Sequence, residues 1–88
     1  GFDYLTWEGN LIFYDLFLKP LSPEILNSVS RSELKRIKYL APGDYKVVRD
    51  RYSFNSKSEI DHILLIDALK NEAKLKTKHG KVNRIGFN

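Results

Sequence analysis

The sequence predicts a mainly α-helical domain of four to five helices, with a C-terminal segment that reads equally well as a β-hairpin or as more helix. Three observations carry this. Two Ser-x-x-Glu capping boxes, Ser30 with Glu33 and Ser56 with Glu59, mark helix starts. Prolines and glycines fall between apolar runs of helical spacing rather than inside them. The run after the second box, Lys57 to about Ala73, is apolar on more than one side, as a central helix is.

At 88 residues the chain suits one domain. Its apolar share of 42% places it among folding sequences rather than disordered ones. The domain divides into an aromatic N-terminal segment, 1–20, and a basic helical part, 21–88. With no cysteine, disulfides and thiolate chemistry are excluded. Asp3 and Glu8 break the pattern of a secretory leader, and the apolar run Leu11 to Leu18 contains Asp15 and is far short of a membrane span. These features predict an intracellular setting, nuclear or cytoplasmic, with no membrane contact. Methionine is absent even at position 1, so the chain reads as a fragment of a longer protein.

Glu8-Gly9-Asn10 reads as a turn, with Asn10 capping a helix over Leu11 to Lys19 that Pro20 ends; a strand over Leu11 to Tyr14 is the alternative. Ser22-Pro23-Glu24 reads as a helix start, serine as N-cap and proline at the first helical position, giving a short helix to about Asn27 with Ile25, Leu26 and Val29 on its apolar side. The box at Ser30 opens a helix over 31–41, which Pro42-Gly43 stops. Asp44 to Phe54 fits a helix capped by Asp44 better than a strand. The box at Ser56 opens a helix from Lys57 to about Ala73 that is apolar nearly all round and hence central. After it, His79-Gly80 supplies either a hairpin turn or, with the helix running to Lys78, a glycine cap.

Charge is divided along the chain. Residues 1–30 carry four carboxylates against Lys19, whereas residues 31–88 carry fourteen Lys and Arg against seven Asp and Glu. At about 100° per residue, Leu34, Ile37, Leu40 and Ala41 share one arc of the 31–41 helix, and Arg31, Ser32, Lys35, Arg36 and Tyr39 share the facing arc with no acid among them. A solvated face usually mixes signs, because Glu–Lys pairs four apart add stability. A face set against phosphate needs unpaired cations, with short polar groups that reach base edges. Together with the short helix before it, this outlines a helix-turn-helix, and a basic hairpin after the long helix would resemble a wing. Lys74, Lys76, Lys78, Lys81 and Arg84 form the second basic cluster.

The expected function is therefore non-enzymatic binding of DNA or RNA. The alternative is a protein-interaction or assembly module, docking a partner or a second copy through Phe2, Tyr4, Trp7, Phe13 and Phe17. No cofactor is expected. His62 and His79 lack a metal-ligand spacing, no serine or cysteine has a catalytic setting, and Asp61, Asp67 and Glu72 would spread around one helix rather than converge on a magnesium site.

Overall fold

The structure, a computed structural model, describes the backbone of residues 4–86 and the side chains of residues 4–77. Four helices form it: α1 (Trp7–Phe13), α2 (Ser28–Arg36), α3 (Pro42–Tyr52) and α4 (His62–Gly86). α1 continues into a π-helical turn, Tyr14–Leu18, and a 3-10 turn, Lys19–Leu21; a second 3-10 turn, Lys57–Glu59, precedes α4. No strand occurs among the described residues.

The N-terminal helix starts earlier than its sequence suggests. Thr6 caps it, its hydroxyl accepting from the Gly9 amide at 3.2 Å, so the expected turn at Glu8-Gly9-Asn10 is helix. Asn10, Tyr14 and Leu18 are all fully buried. In an α-helix, steps of four residues drift by about 40° each around the axis. The π turn, in which the Lys19 amide reaches back five residues to the Tyr14 carbonyl, opposes that drift and keeps all three side chains on the core.

The short helix expected over Ser22 to Asn27 does not form. Ser22 is buried, and its hydroxyl donates to the Ile60 carbonyl at 2.8 Å while accepting from the Glu24 amide at 3.1 Å. The Glu24 carbonyl in turn accepts from His62 Nε2 at 2.9 Å. Segment 22–27 is thus a non-helical strap tied to the start of α4, and the helix-turn-helix has no first helix there.

α2 also differs from the 31–41 expectation. Asn27, not Ser30, caps it, accepting from the Ser30 amide at 2.8 Å, and it ends at Arg36. The early end has a tertiary cause: the Asn10 amide donates to the Leu34 and Ile37 carbonyls at 3.3 and 3.1 Å, satisfying acceptors that the end of a helix leaves open. The chain then runs extended, pairs the Leu40 carbonyl with the Leu5 amide at 2.7 Å, and turns through Tyr39 at φ 72°.

Pro42 opens α3, and Asp44 reaches back from the third position to accept from the Ala41 amide at 2.8 Å, one half of a capping box whose other half the Ala41 methyl cannot supply. The Ser56–Glu59 pair makes only the 3-10 turn, with the Glu59 carboxylate accepting from the Ser56 amide at 3.2 Å. Ile60 is buried and extended, and Asp61 caps α4 by accepting from the Leu64 amide at 2.8 Å.

The C-terminal hairpin, and the winged-helix likeness that depended on it, are not supported. α4 runs on through 74–86, where Leu75 and Thr77 find no partner strand among the described residues. Among the described side chains of α4, the last buried one is Ala73. α1 packs on α2, the π turn on α3, and α4 on both α2 and α3. Tyr14, Leu18, Leu34, Leu40, Tyr45, Val48, Leu65 and Leu69 meet at full burial in the centre.

Candidate interaction surface

Two buried polar networks fix the relative placement of the helices. In the first, Tyr45 Oη donates to Asn10 Oδ1 at 3.1 Å, while the Asn10 amide holds the end of α2. In the second, the Tyr14 hydroxyl lies 2.7 Å from His62 Nδ1. Since the Glu24 carbonyl can only accept, His62 Nε2 carries the proton, and in the neutral ring Nδ1 accepts from Tyr14. Burial pushes both phenols well above the usual tyrosine range. Asp61 and Asp15 add to the effect at Tyr14, and Asp44 and Tyr14 at Tyr45.

With the helices held this way, Arg31, Ser32, Lys35 and Arg36 lie exposed on the outer side of α2. Among the described residues, Arg31, Lys35, Arg36 and Lys74 form no ion pair. Lys35 Nζ sits 5.0 Å above the Trp7 ring, a cation–π contact that joins the basic helix to the aromatic segment. Arg36 and Lys74 line one shallow hollow with Glu33, Ile37 and Lys70. Tyr39 lies past the end of α2 with its ring edge-on to Tyr4 at 5.6 Å. Lys76 leaves the expected cation set, because Asp44 pairs with it. Lys78, Lys81 and Arg84 have helical backbone, but their side chains lie outside the described residues.

The aromatic segment splits. Phe2 lies outside the described residues. Phe13 and Phe17 are half-buried and stacked at 5.8 Å; Phe13 also packs on Tyr45, and Arg49 covers Phe17 at 5.1 Å. Tyr4 and Trp7 are exposed. The docking set expected from sequence therefore keeps two of its members on the surface and gives two to the core.

A third surface was not singled out from the sequence. Ile25, Val29 and Ile63 are 89%, 70% and 67% exposed. Val29 and Ile63, with Ile66, Asn27, Ser30, Glu33 and Asp67, line a hollow of about 260 Å³ between the start of α2 and the first turns of α4. Ile25 follows Glu24, whose carbonyl His62 binds. Its signal in the sequence was surplus: α4 carries apolar residues on more sides than one core can absorb. Lys70 spans the far rim, paired with Glu33 and 4.0 Å from Asp67. The Lys70 hydrogen bond and charge, with a smaller contribution from Arg36, hold the Glu33 carboxyl below its ordinary range.

Of the α4 acids, Asp61 caps the helix, Asp67 lies by Lys70, and Glu72 accepts from Arg51 at 3.0 Å. Among the described residues, no group of three potential ligands could hold a metal ion, and no helix is long and apolar enough to cross a membrane. Comparison with known proteins finds no matching family model, no matching curated protein and no matching solved structure.

Proposed function

We propose that this domain is a non-enzymatic protein-docking module whose contact surface is the exposed pair Val29 and Ile63 in the hollow between α2 and α4. One observation carries the reading: two large aliphatic side chains, Val29 and Ile63, meet in water at one hollow beside a core that is already closed. Full burial of one such side chain is worth about 1.5–3 kcal/mol, so covering the pair supplies several kcal/mol towards association. Contiguous exposed apolar surface of this kind marks interaction sites.

Replacing Ile63 with aspartate should leave Tm within about 2 °C of the parent, since little buried contact is lost. The same change should remove binding of an uncharged solvatochromic dye to the folded chain. Dye binding that is absent in the parent, or unchanged in the variant, contradicts the reading.

The unpaired cations Arg31, Lys35, Arg36 and Lys74, with Ser32, Trp7 and Tyr39 beside them, favour a second reading, nucleic-acid contact across α2. It ranks second for a physical reason. Water solvates an unpaired surface cation at little cost, whereas an exposed aliphatic pair gains from being covered. The second reading expects a gel shift with duplex or single-stranded nucleic acid that weakens steeply with salt, and a Lys35→Glu/Arg36→Glu double variant that folds normally but binds at least tenfold more weakly. Equal retardation of parent and variant removes α2 as the contact surface.

A further inference from the structure

We infer that the rim formed by Tyr4, Trp7 and Tyr39 is a stacking platform for the bases of single-stranded nucleic acid, with the cations around it holding the phosphates. The inference goes beyond the docking reading, which concerns other residues, and rests on the nucleic-acid reading, whose ligand it narrows.

Trp7, Tyr39 and Tyr4 are 50%, 46% and 39% exposed. The Leu5 amide donates to the Leu40 carbonyl at 2.7 Å, which brings the two stretches that carry these rings side by side. Tyr39 meets Tyr4 edge-on at 5.6 Å. Tyr39 also has a φ of 72°, a left-handed backbone that strains any bulky residue. Glycine would make the same turn without that strain. A ring is therefore held in water at a position whose backbone disfavours it, and such outliers cluster at ligand sites.

Cations surround the rim. Lys35 Nζ lies 5.0 Å from the centre of the Trp7 ring, and Lys76 Nζ lies 5.9 Å from that of Tyr4. Arg31, Arg36 and Lys38 are exposed and, like Lys35, form no ion pair among the described residues. The acids of the adjoining elements are fewer or already engaged. α1 and its π turn carry Glu8 and Asp15, both exposed and without an ion pair among the described residues. In α2, Glu33 pairs with Lys70; in α3, Asp44 pairs with Lys76 and accepts from the Ala41 amide, and Asp50 pairs with Arg49. In α4, Glu72 pairs with Arg51. Unpaired cations thus outnumber unpaired carboxylates.

Flat rings interleaved with cations suit a strand whose bases are free, since aromatic side chains stack on base faces while ammonium and guanidinium groups hold the backbone. A duplex hides its base faces and an acidic peptide has none, so either would leave the rings idle. Stacking and phosphate contact are common to RNA and DNA strands.

Trp7 is the chain's single tryptophan, so its fluorescence reports on this site. The full chain is titrated at low salt with a mixed-sequence DNA strand of about 15 nucleotides, the RNA strand of the same sequence, the DNA duplex, an abasic deoxyribose-phosphate strand of equal length, and polyglutamate. At least one natural strand is expected to quench Trp7 and to bind about tenfold or more tightly than the abasic strand and the duplex; the tighter of DNA and RNA identifies the source. Tyr39→Gly should keep or raise Tm, yet weaken the natural strand about fivefold or more while leaving the abasic strand unchanged, a split that a purely structural Tyr39 would not give. Trp7→Ala, at an exposed position, should weaken the natural strand similarly, read by anisotropy of a labelled strand.

Equal affinity for the natural, abasic and duplex forms, or natural-strand binding untouched by both variants, overturns the stacking inference and leaves phosphate contact across α2 standing. No binding of any nucleic acid overturns both. Polyglutamate bound as tightly as the natural strand makes an acidic protein the ligand and overturns the inference.

Discussion

Replacing Asn10 with alanine is expected to lower the unfolding free energy by about 2 kcal/mol and Tm by roughly 8–16 °C. The substitution removes both amide donations to the Leu34 and Ile37 carbonyls, and it deprives the Tyr45 hydroxyl of its 3.1 Å acceptor. Those groups stay buried, so their lost partners cannot be replaced by bulk water. A buried group left without its partner costs about 1–3 kcal/mol; the Ile37 carbonyl loses its partner outright, while the Leu34 carbonyl keeps the Ile37 amide at 3.3 Å and Tyr45 keeps the main-chain carbonyl of residue 10 at 3.3 Å. An exposed cap provides the contrast: Asn27→Ala, which loses the bond to the Ser30 amide, should cost about 1 kcal/mol. Thermal unfolding followed by circular dichroism reads both. If Asn10→Ala costs no more than Asn27→Ala, the end of α2 is fixed by something other than this side chain.

The second large effect is alkaline. Tyr14 and Tyr45 are wholly buried, and both phenols are held well above the ordinary value near 10, chiefly by burial. The unfolded chain releases these protons near pH 10 and the folded chain keeps them. The stabilisation is therefore complete below pH 10 and is lost as pH rises towards the folded values. Each such group contributes a slope of about 1.4 kcal/mol per pH unit, so the two together give nearly 3 kcal/mol per unit above pH 10. Urea midpoints between pH 9 and pH 11.5 would show the fall. Tyr14→Phe should halve the slope, while also costing about 1–2 kcal/mol at neutral pH because His62 Nδ1 loses its donor. A flat profile, or a slope untouched by Tyr14→Phe, would contradict the placement of these hydroxyls.

What could be read in the sequence is what local chemistry decides. The bodies of α3 and α4 follow from their apolar spacing and flanking breakers, as do the buried Leu34, Ile37 and Leu40 and the cationic face of α2. What escaped was decided by groups far apart in sequence. Ser22-Pro23-Glu24 has the residues of a helix start, yet Ile60 and His62 bind its hydroxyl and the Glu24 carbonyl and hold the segment open. Asn10 looks like a turn residue and is instead the buried bridge that stops α2 after Arg36. The Ser56–Glu59 box forms, but buried Ile60 interrupts the helix and Asp61 restarts it. Lys74 to Thr77 alternates like a strand, but with the Thr77 hydroxyl bonded to the Lys74 carbonyl at 2.9 Å it completes a helix.

The surfaces show the same division. That Arg31, Lys35 and Arg36 would lie exposed and form no ion pair among the described residues was legible from the helical arc alone. Which of the N-terminal rings would be spent on the core was not, since Phe13 and Phe17 owe their contacts to Tyr45 and Arg49, more than thirty residues away. Nor could the pattern show that Val29 and Ile63, both suited to a core, would meet at the edge of one already filled.

The docking account is tested most directly by placing a photo-cross-linking amino acid at position 63, and separately at positions 35 and 46, in the protein within the cell that makes it. Position 63 is predicted to give a discrete, protease-sensitive protein adduct, with none from the exposed polar control at Lys46. Adducts that arise at position 35, disappear with nuclease, and are absent from position 63 would contradict the account and put the nucleic-acid reading in its place.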